Sequence, residues 1–138
     1  MKKILLASVL GLSIASAGLV EEAAKLDVKT VCNVKANGAA KVLAAAQKFN
    51  PEAVKLGVEF KRLGIKNRLY VKAVEEAIKS KKKEVVIKYT DKKKDKVKKF
   101  PLEYAAWRTC SFAIRALQLH KDAEKTWRLA VPGDGYKY

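Results

Sequence analysis

Apolar residues recur at helical spacing along the first eighty positions, and the period switches to that of a strand in a single place. From Leu19 to about Ala36, Val20, Ala24, Val28 and Val31 fall three or four apart, with Glu21 and Glu22 suited to a helix start. Asn37-Gly38 breaks this pattern. A second helix is predicted from Ala39 to Phe49, with Ala39, Val42, Leu43, Ala46 and Phe49 on one face. Asn50-Pro51 ends it and restarts a third, because Asn50 can cap, Pro51 fits a first turn and Glu52 suits the positive end. The third places Ala53, Leu56, Gly57, Phe60 and Leu63 inward and stops at Gly64. The fourth, Asn67 to Lys79, presents Tyr70, Val71, Val74, Ala77 and Ile78.

Glu84 to Thr90 is then rich in β-branched and aromatic residues, and Lys96 to Phe100 can return as a second strand before Pro101. With Asp91 to Asp95 as the loop, Tyr89 faces Val97 and Lys88 faces Lys98. Like charges directly opposite are destabilising, so either the register differs or an anion relieves the repulsion. Beyond Pro101, Leu102 to Leu119 is the most apolar element, with Ala106, Cys110, Ala113, Ile114 and Leu117 on one face, widened by Trp107 and Phe112. Only Arg108, Ser111, Arg115 and Gln118 form a polar stripe, so this reads as the central helix. Asp122 to Val131 is predicted as a last helix with Trp127 and Ala130 inward, before the breaking run Pro132 to Gly135. Tyr136 and Tyr138 close the chain. The segments are not copies of one another. The expected fold is mainly α with one β-hairpin (α+β), an antiparallel array of about five to six helices in which the hairpin precedes the central C-terminal helix.

The extreme N-terminus follows a different logic. Lys2 and Lys3, the apolar run Ile4 to Ile14 and the A-x-A site Ala15-Ser16-Ala17 make residues 1–17 a secretory signal peptide. The run is short of the roughly 20 residues that span a bilayer, so cleavage before Gly18 is favoured over a retained anchor. The expected product is a periplasmic protein of one basic globular domain, 18–138: helical over 19–80, hairpin over 84–100, helical over 102–131, with a short tail over 132–138.

Compartment changes the reading of the cysteines. Cys32 and Cys110 stand 78 positions apart, and an even pair in an oxidising space points to one structural disulfide. Neither has the C-x-x-C neighbourhood of a redox centre, and a lone histidine, His120, cannot complete a structural zinc site. No glycine-rich phosphate loop, G-x-S-x-G elbow or haem motif is present, and Glu75-Glu76 point apart on a helix, so no catalytic residue, metal or cofactor is expected.

Charge supplies the functional signal. The chain carries a formal +16, and eleven lysines against three acids between Lys79 and Lys99 put half of that charge in 21 residues. The candidate anion- or partner-binding residues are Lys81, Lys82, Lys83, Lys92, Lys93, Lys94, Lys96, Lys98 and Lys99, with Arg108 and Arg115 as a second group. Lysine is a flexible point charge without the bidentate fork of arginine, so docking rather than sequence reading is expected, and Tyr89 and Phe100 are too few to stack bases. The expected function is that of an exported, non-enzymatic accessory protein that docks an acidic periplasmic protein, such as a redox or sulfur-metabolism component, through the lysine-rich hairpin. The alternative is an envelope or extracellular polyanion: lipopolysaccharide, anionic lipid headgroups or DNA. Solvated lysines that guard an edge strand against aggregation are the plain structural account of the same residues.

Overall fold

The computed structural model describes residues 18–130; the leader expected over 1–17 and the tail expected over 132–138 lie outside them. Among the described residues six helices and two small antiparallel hairpins form a mainly helical α+β fold, as the periodicity predicts. The helices are α1 (18–24), α2 (Val28–Val31), α3 (Val34–Asn37), α4 (Ala39–Lys55), α5 (Asn67–Lys79) and α6 (Leu102–Ala130). Strands β1 (Lys61–Arg62) and β2 (Ile65–Lys66) form one hairpin, and β3 (Glu84–Asp91) and β4 (Lys94–Pro101) the other.

The single N-terminal helix expected from the spacing is three short ones. Asp27 and Asn33 stop and restart it, each adopting extended backbone and acting as an N-cap. The Asp27 carboxylate accepts the Lys29 N–H at 3.3 Å and the Thr30 hydroxyl at 2.6 Å, and Asn33 Oδ1 accepts the Ala36 N–H at 3.1 Å. The freed carbonyls find side chains: Asn37 donates to Thr30 O at 2.9 Å, and Gln118 of α6 donates to Ala23 O and Leu26 O at 3.0 and 2.9 Å. Ion pairs Glu21–Lys121 and Glu22–Lys48 hold α1 against α6 and α4.

The break expected at Asn50-Pro51 does not occur, and α4 runs through Pro51 to Lys55. Asn50 is buried and its amide oxygen accepts from Asn67 Nδ2 at 2.9 Å, so the side chain is spent across the core rather than as a cap. The same Asn67 amide donates to Thr109 O at 3.0 Å, joining α4, α5 and α6 through one buried polar contact. The helix ends instead at Gly57, which the periodicity had placed inward. Its φ of 72°, with Gly57 N–H to Val54 O at 3.1 Å and Val58 N–H to Ala53 O at 2.9 Å, is a Schellman cap. The chain beyond turns into the β1–β2 hairpin, and Leu63, expected inside a helix, sits at its tip 65% exposed.

Helix α6 is the central element, packing on α2, α3, α4, α5 and both strands of the larger hairpin. It is one helix where two were expected, since nothing between Leu119 and Asp122 breaks the backbone pattern. Ala105, Ala106, Cys110, Ala113, Ile114 and Leu117 are buried along it, against Val42, Leu43, Ala46 and Phe49 of α4 and Tyr70 and Val74 of α5. Cys110 meets Cys32 from the α2–α3 junction, with sulfurs at bonding distance and Cα atoms 5.6 Å apart. The bond ties the N-terminal helices to the core.

Three carboxyls that organise this frame lie below their ordinary values: Asp27 through the Thr30 hydroxyl, Asp91 through Lys96 and Glu21 through Lys121. A depressed carboxyl stabilises the fold above its unfolded value and loses that contribution as pH falls through the folded one. The melting temperature should therefore hold down to about pH 5 and fall below about pH 4. An Asp27→Asn/Asp91→Asn variant should lose less between pH 6 and 3 than the parent in thermal melts, and an equal loss would contradict these assignments.

Candidate functional site

The larger hairpin decides where the lysines go. Its loop is only Lys92-Lys93, both at positive φ (48° and 63°), a two-residue turn of type I′. The five-residue loop expected from Asp91 to Asp95 would shift the pairing by one. In the observed register Lys88 faces Val97 and Ile87 faces Lys98, so the expected Lys88–Lys98 clash is absent. Acid–base pairing across the turn favours this register: Asp91 opposes Lys94 and accepts from Lys96 Nζ at 2.7 Å, while Asp95 accepts the Thr90 hydroxyl at 2.8 Å. Val85, Ile87 and Tyr89 are buried on one face, and β4 is the exposed edge.

The nine candidate lysines do not form one patch. Lys94, Lys96 and Lys98 share the face of Tyr89 and Asp91, Lys99 lies on the opposite face beside exposed Val86, and Lys92 and Lys93 form the tip. Lys81, Lys82 and Lys83 lie at the other end of β3, which at about 3.4 Å per residue is roughly 24 Å from the tip. There Lys81, at φ 52°, occupies the glycine position of a second Schellman cap, with Lys82 N–H to Ala77 O at 2.9 Å.

At the tip the two hairpins meet. A Cβ on Gly64 would stand 3.5 Å from the Tyr89 ring and 3.6 Å from the Asp91 carboxyl carbon, ordinary contact distances that put the β1–β2 turn directly against β3, and the φ of 82° is what asks for glycine there. Lys61 thereby joins Lys96 and Lys98 in holding the Asp91 carboxyl down. Lys61 is also paired directly with Lys66 across the small hairpin, both exposed. The like-charge pair anticipated in the large hairpin is thus in the small one. The sequence reading missed Lys61 and Lys66; Leu63-Gly64 between Lys61-Arg62 and Ile65-Lys66 was the available signal, a weak one because leucine seldom takes the positive φ of 55° seen here. The surface offers ammonium donors of high local density around the Asp91 carboxylate, and no three acids, histidines or cysteines among the described residues are grouped to hold a metal.

Arg108 is not on this surface or on any polar stripe. It is 1% exposed, its guanidinium lying 3.7 Å from the Tyr70 ring centroid and 4.8 Å from that of Phe112. It donates to the Tyr70 hydroxyl, and its Nη2 lies 3.5 Å from Ile65 O, while Nε has no acceptor among the described residues. Burial holds this guanidinium below its ordinary value and the Tyr70 hydroxyl above its own. Ser111 is buried too, whereas Arg115, one heptad on, is exposed. Trp107, expected inward, is 37% exposed. His120 pairs with Glu124 at 3.3 Å along the helix.

Left-handed backbone costs a side-chain-bearing residue roughly 1–2 kcal/mol that glycine avoids. Lys92→Asn/Lys93→Gly should therefore raise stability by about 1–2 kcal/mol in denaturant titration. A destabilised variant would show that the two lysines make contacts the fold needs.

No protein-family model matches the chain, and no curated protein or solved structure is similar to it at the threshold of significance.

Proposed function

We propose that this is an exported, non-enzymatic binding protein that docks an acidic protein partner through the joined tips of its two hairpins. One observation carries the reading: Lys92 and Lys93, the two residues of the larger hairpin's turn, both stand at left-handed positions where glycine or asparagine gives a more stable turn. Lysine there contributes charge at the expense of conformational energy. Lys61 facing Lys66 adds a repulsion that a bound carboxylate would relieve. Such a field acts over about one Debye length, ~10 Å at 0.1 M salt, and supplies association rate and orientation. Export agrees with the bonded cysteine pair and with the lack of a membrane-spanning helix among the described residues. A redox or sulfur-metabolism component of the periplasm is one partner of the required sign.

The lysines on both faces of the ribbon favour a second reading, an envelope or extracellular polyanion wrapped around it. Capture from an exported fraction at low and high salt separates the two. A discrete acidic protein released by salt supports the first; heterogeneous retention of lipopolysaccharide, lipid or DNA supports the second.

A further inference from the structure

Away from the lysine tips, a groove of about 520 Å³ runs between the α2–α3 segment and the start of α6. Its apolar surface comes from Val34, Pro101, Tyr104 and Trp107, and its charge from Lys29 and Lys35. We infer that this groove binds a small amphipathic anion, an aromatic or aliphatic body carrying one carboxylate or sulfonate.

The floor is built for an apolar body. Tyr104 and Trp107 are 39% and 37% exposed, so two large rings stand partly in water side by side near the start of α6. They are also fixed in place. Ring centroids run Tyr70 to Phe100 at 5.1 Å, Phe100 to Tyr104 at 5.8 Å and Tyr104 to Trp107 at 5.9 Å, so the exposed pair continues a stack rooted in the core at Tyr70. A ligand meeting preset rings loses less to ordering them.

The rim sets the sign. Lys29 and Lys35 have no carboxylate within ion-pair distance among the described residues, and Glu103 is the one acid against the groove. Two free ammonium groups against one carboxylate favour a single negative charge and disfavour a cation, whatever its attraction to the rings. The volume falls in the range of small-molecule sites rather than macromolecular interfaces. Cys32 lines the groove and is bonded to Cys110 of α6, so the two walls are covalently joined. None of the hairpin-tip lysines lines it, and the site is independent of the docking proposed above.

Anilinonaphthalene sulfonate supplies the probe, read by energy transfer from Trp107 in a Trp127→Phe background. One saturable site in the micromolar range is expected, with at least a tenfold loss of affinity in Lys29→Glu/Lys35→Glu and no change in Lys92→Glu/Lys93→Glu. Thermal melts of each variant check that the fold persists, and Lys29→Gln/Lys35→Gln replaces the reversal variant if it melts without cooperativity. Competition by octanoate against competition by naphthoate tells whether the natural body is aliphatic or aromatic. Equal binding of a naphthalene bearing a quaternary ammonium, or dye affinity indifferent to both lysine variants, would overturn the inference.

Discussion

Replacing Cys110 with serine is expected to lower the stability of the fold by about 4.5 kcal/mol, the chain-entropy value for releasing a 78-residue loop. For a domain of this size that corresponds to a fall in melting temperature of roughly 15–20 °C. Both cysteines are fully buried, and the three short helices at the N-terminus are otherwise held by caps, the Gln118 amide and two exposed ion pairs: α2 and α3 are four residues each, below the length at which a helix persists unaided. Reduction should thus loosen residues 18–37 first. Circular-dichroism melts of the oxidised parent and of Cys32→Ser/Cys110→Ser test this, alongside thiol alkylation of the unreduced parent. A drop of under about 5 °C, or two freely alkylated thiols in exported material, would contradict it.

The second large effect is expected at Arg108. Arg108→Ala should cost about 3–5 kcal/mol, chiefly because it empties the space against the Tyr70 and Phe112 rings. Arg108→Met should cost less than about 1.5 kcal/mol: a buried charge without a carboxylate partner has a desolvation penalty that an apolar chain of similar volume removes. Denaturant titration of the two variants separates shape from charge. Equal losses would show that the guanidinium itself, through the Tyr70 contact and its position over the two rings, is what the core requires. Neither variant should alter salt-dependent docking, since the residue does not reach the surface.

These cases show where the chain is legible. Helix α5 and strand β3 follow directly from period: Tyr70, Val74 and Ala77 fall on one face at helical spacing, and Val85, Ile87 and Tyr89 alternate with exposed neighbours. The cysteine pairing agrees with the even count and with the oxidising compartment expected from the N-terminal residues. What period cannot resolve is which way a polar side chain is spent. Asp27 and Asn33 cap and so divide a helix, whereas Asn50, with an equally good capping side chain and a proline after it, is drawn to Asn67 and keeps α4 whole. Arg108 shows the same limit, since a charge on a helix reads as solvent-facing until Tyr70 and Phe112 are brought over it by the fold. The basic surface was legible as a run but not as a shape. Turn residues of unfavourable type, Lys92-Lys93 and Leu63-Gly64, hid both two-residue turns. With them they hid the register and the approach of Lys61 to the tip.

The joined hairpin tips are the centre of the functional account, and Lys92→Glu/Lys93→Glu/Lys94→Glu tests them most directly. All three positions are exposed, so the fold should lose little, within about 0.5 kcal/mol at Lys92 and Lys93 and up to about 1 kcal/mol at Lys94, whose replacement sets a carboxylate opposite Asp91. The local charge nevertheless changes by six units, because three ammonium groups become three carboxylates. Capture of the acidic partner, measured at low ionic strength on parent and variant with matched thermal melts, should fall at least tenfold. Undiminished capture by a variant that melts like the parent would contradict the account and remove the hairpin tips as the docking surface.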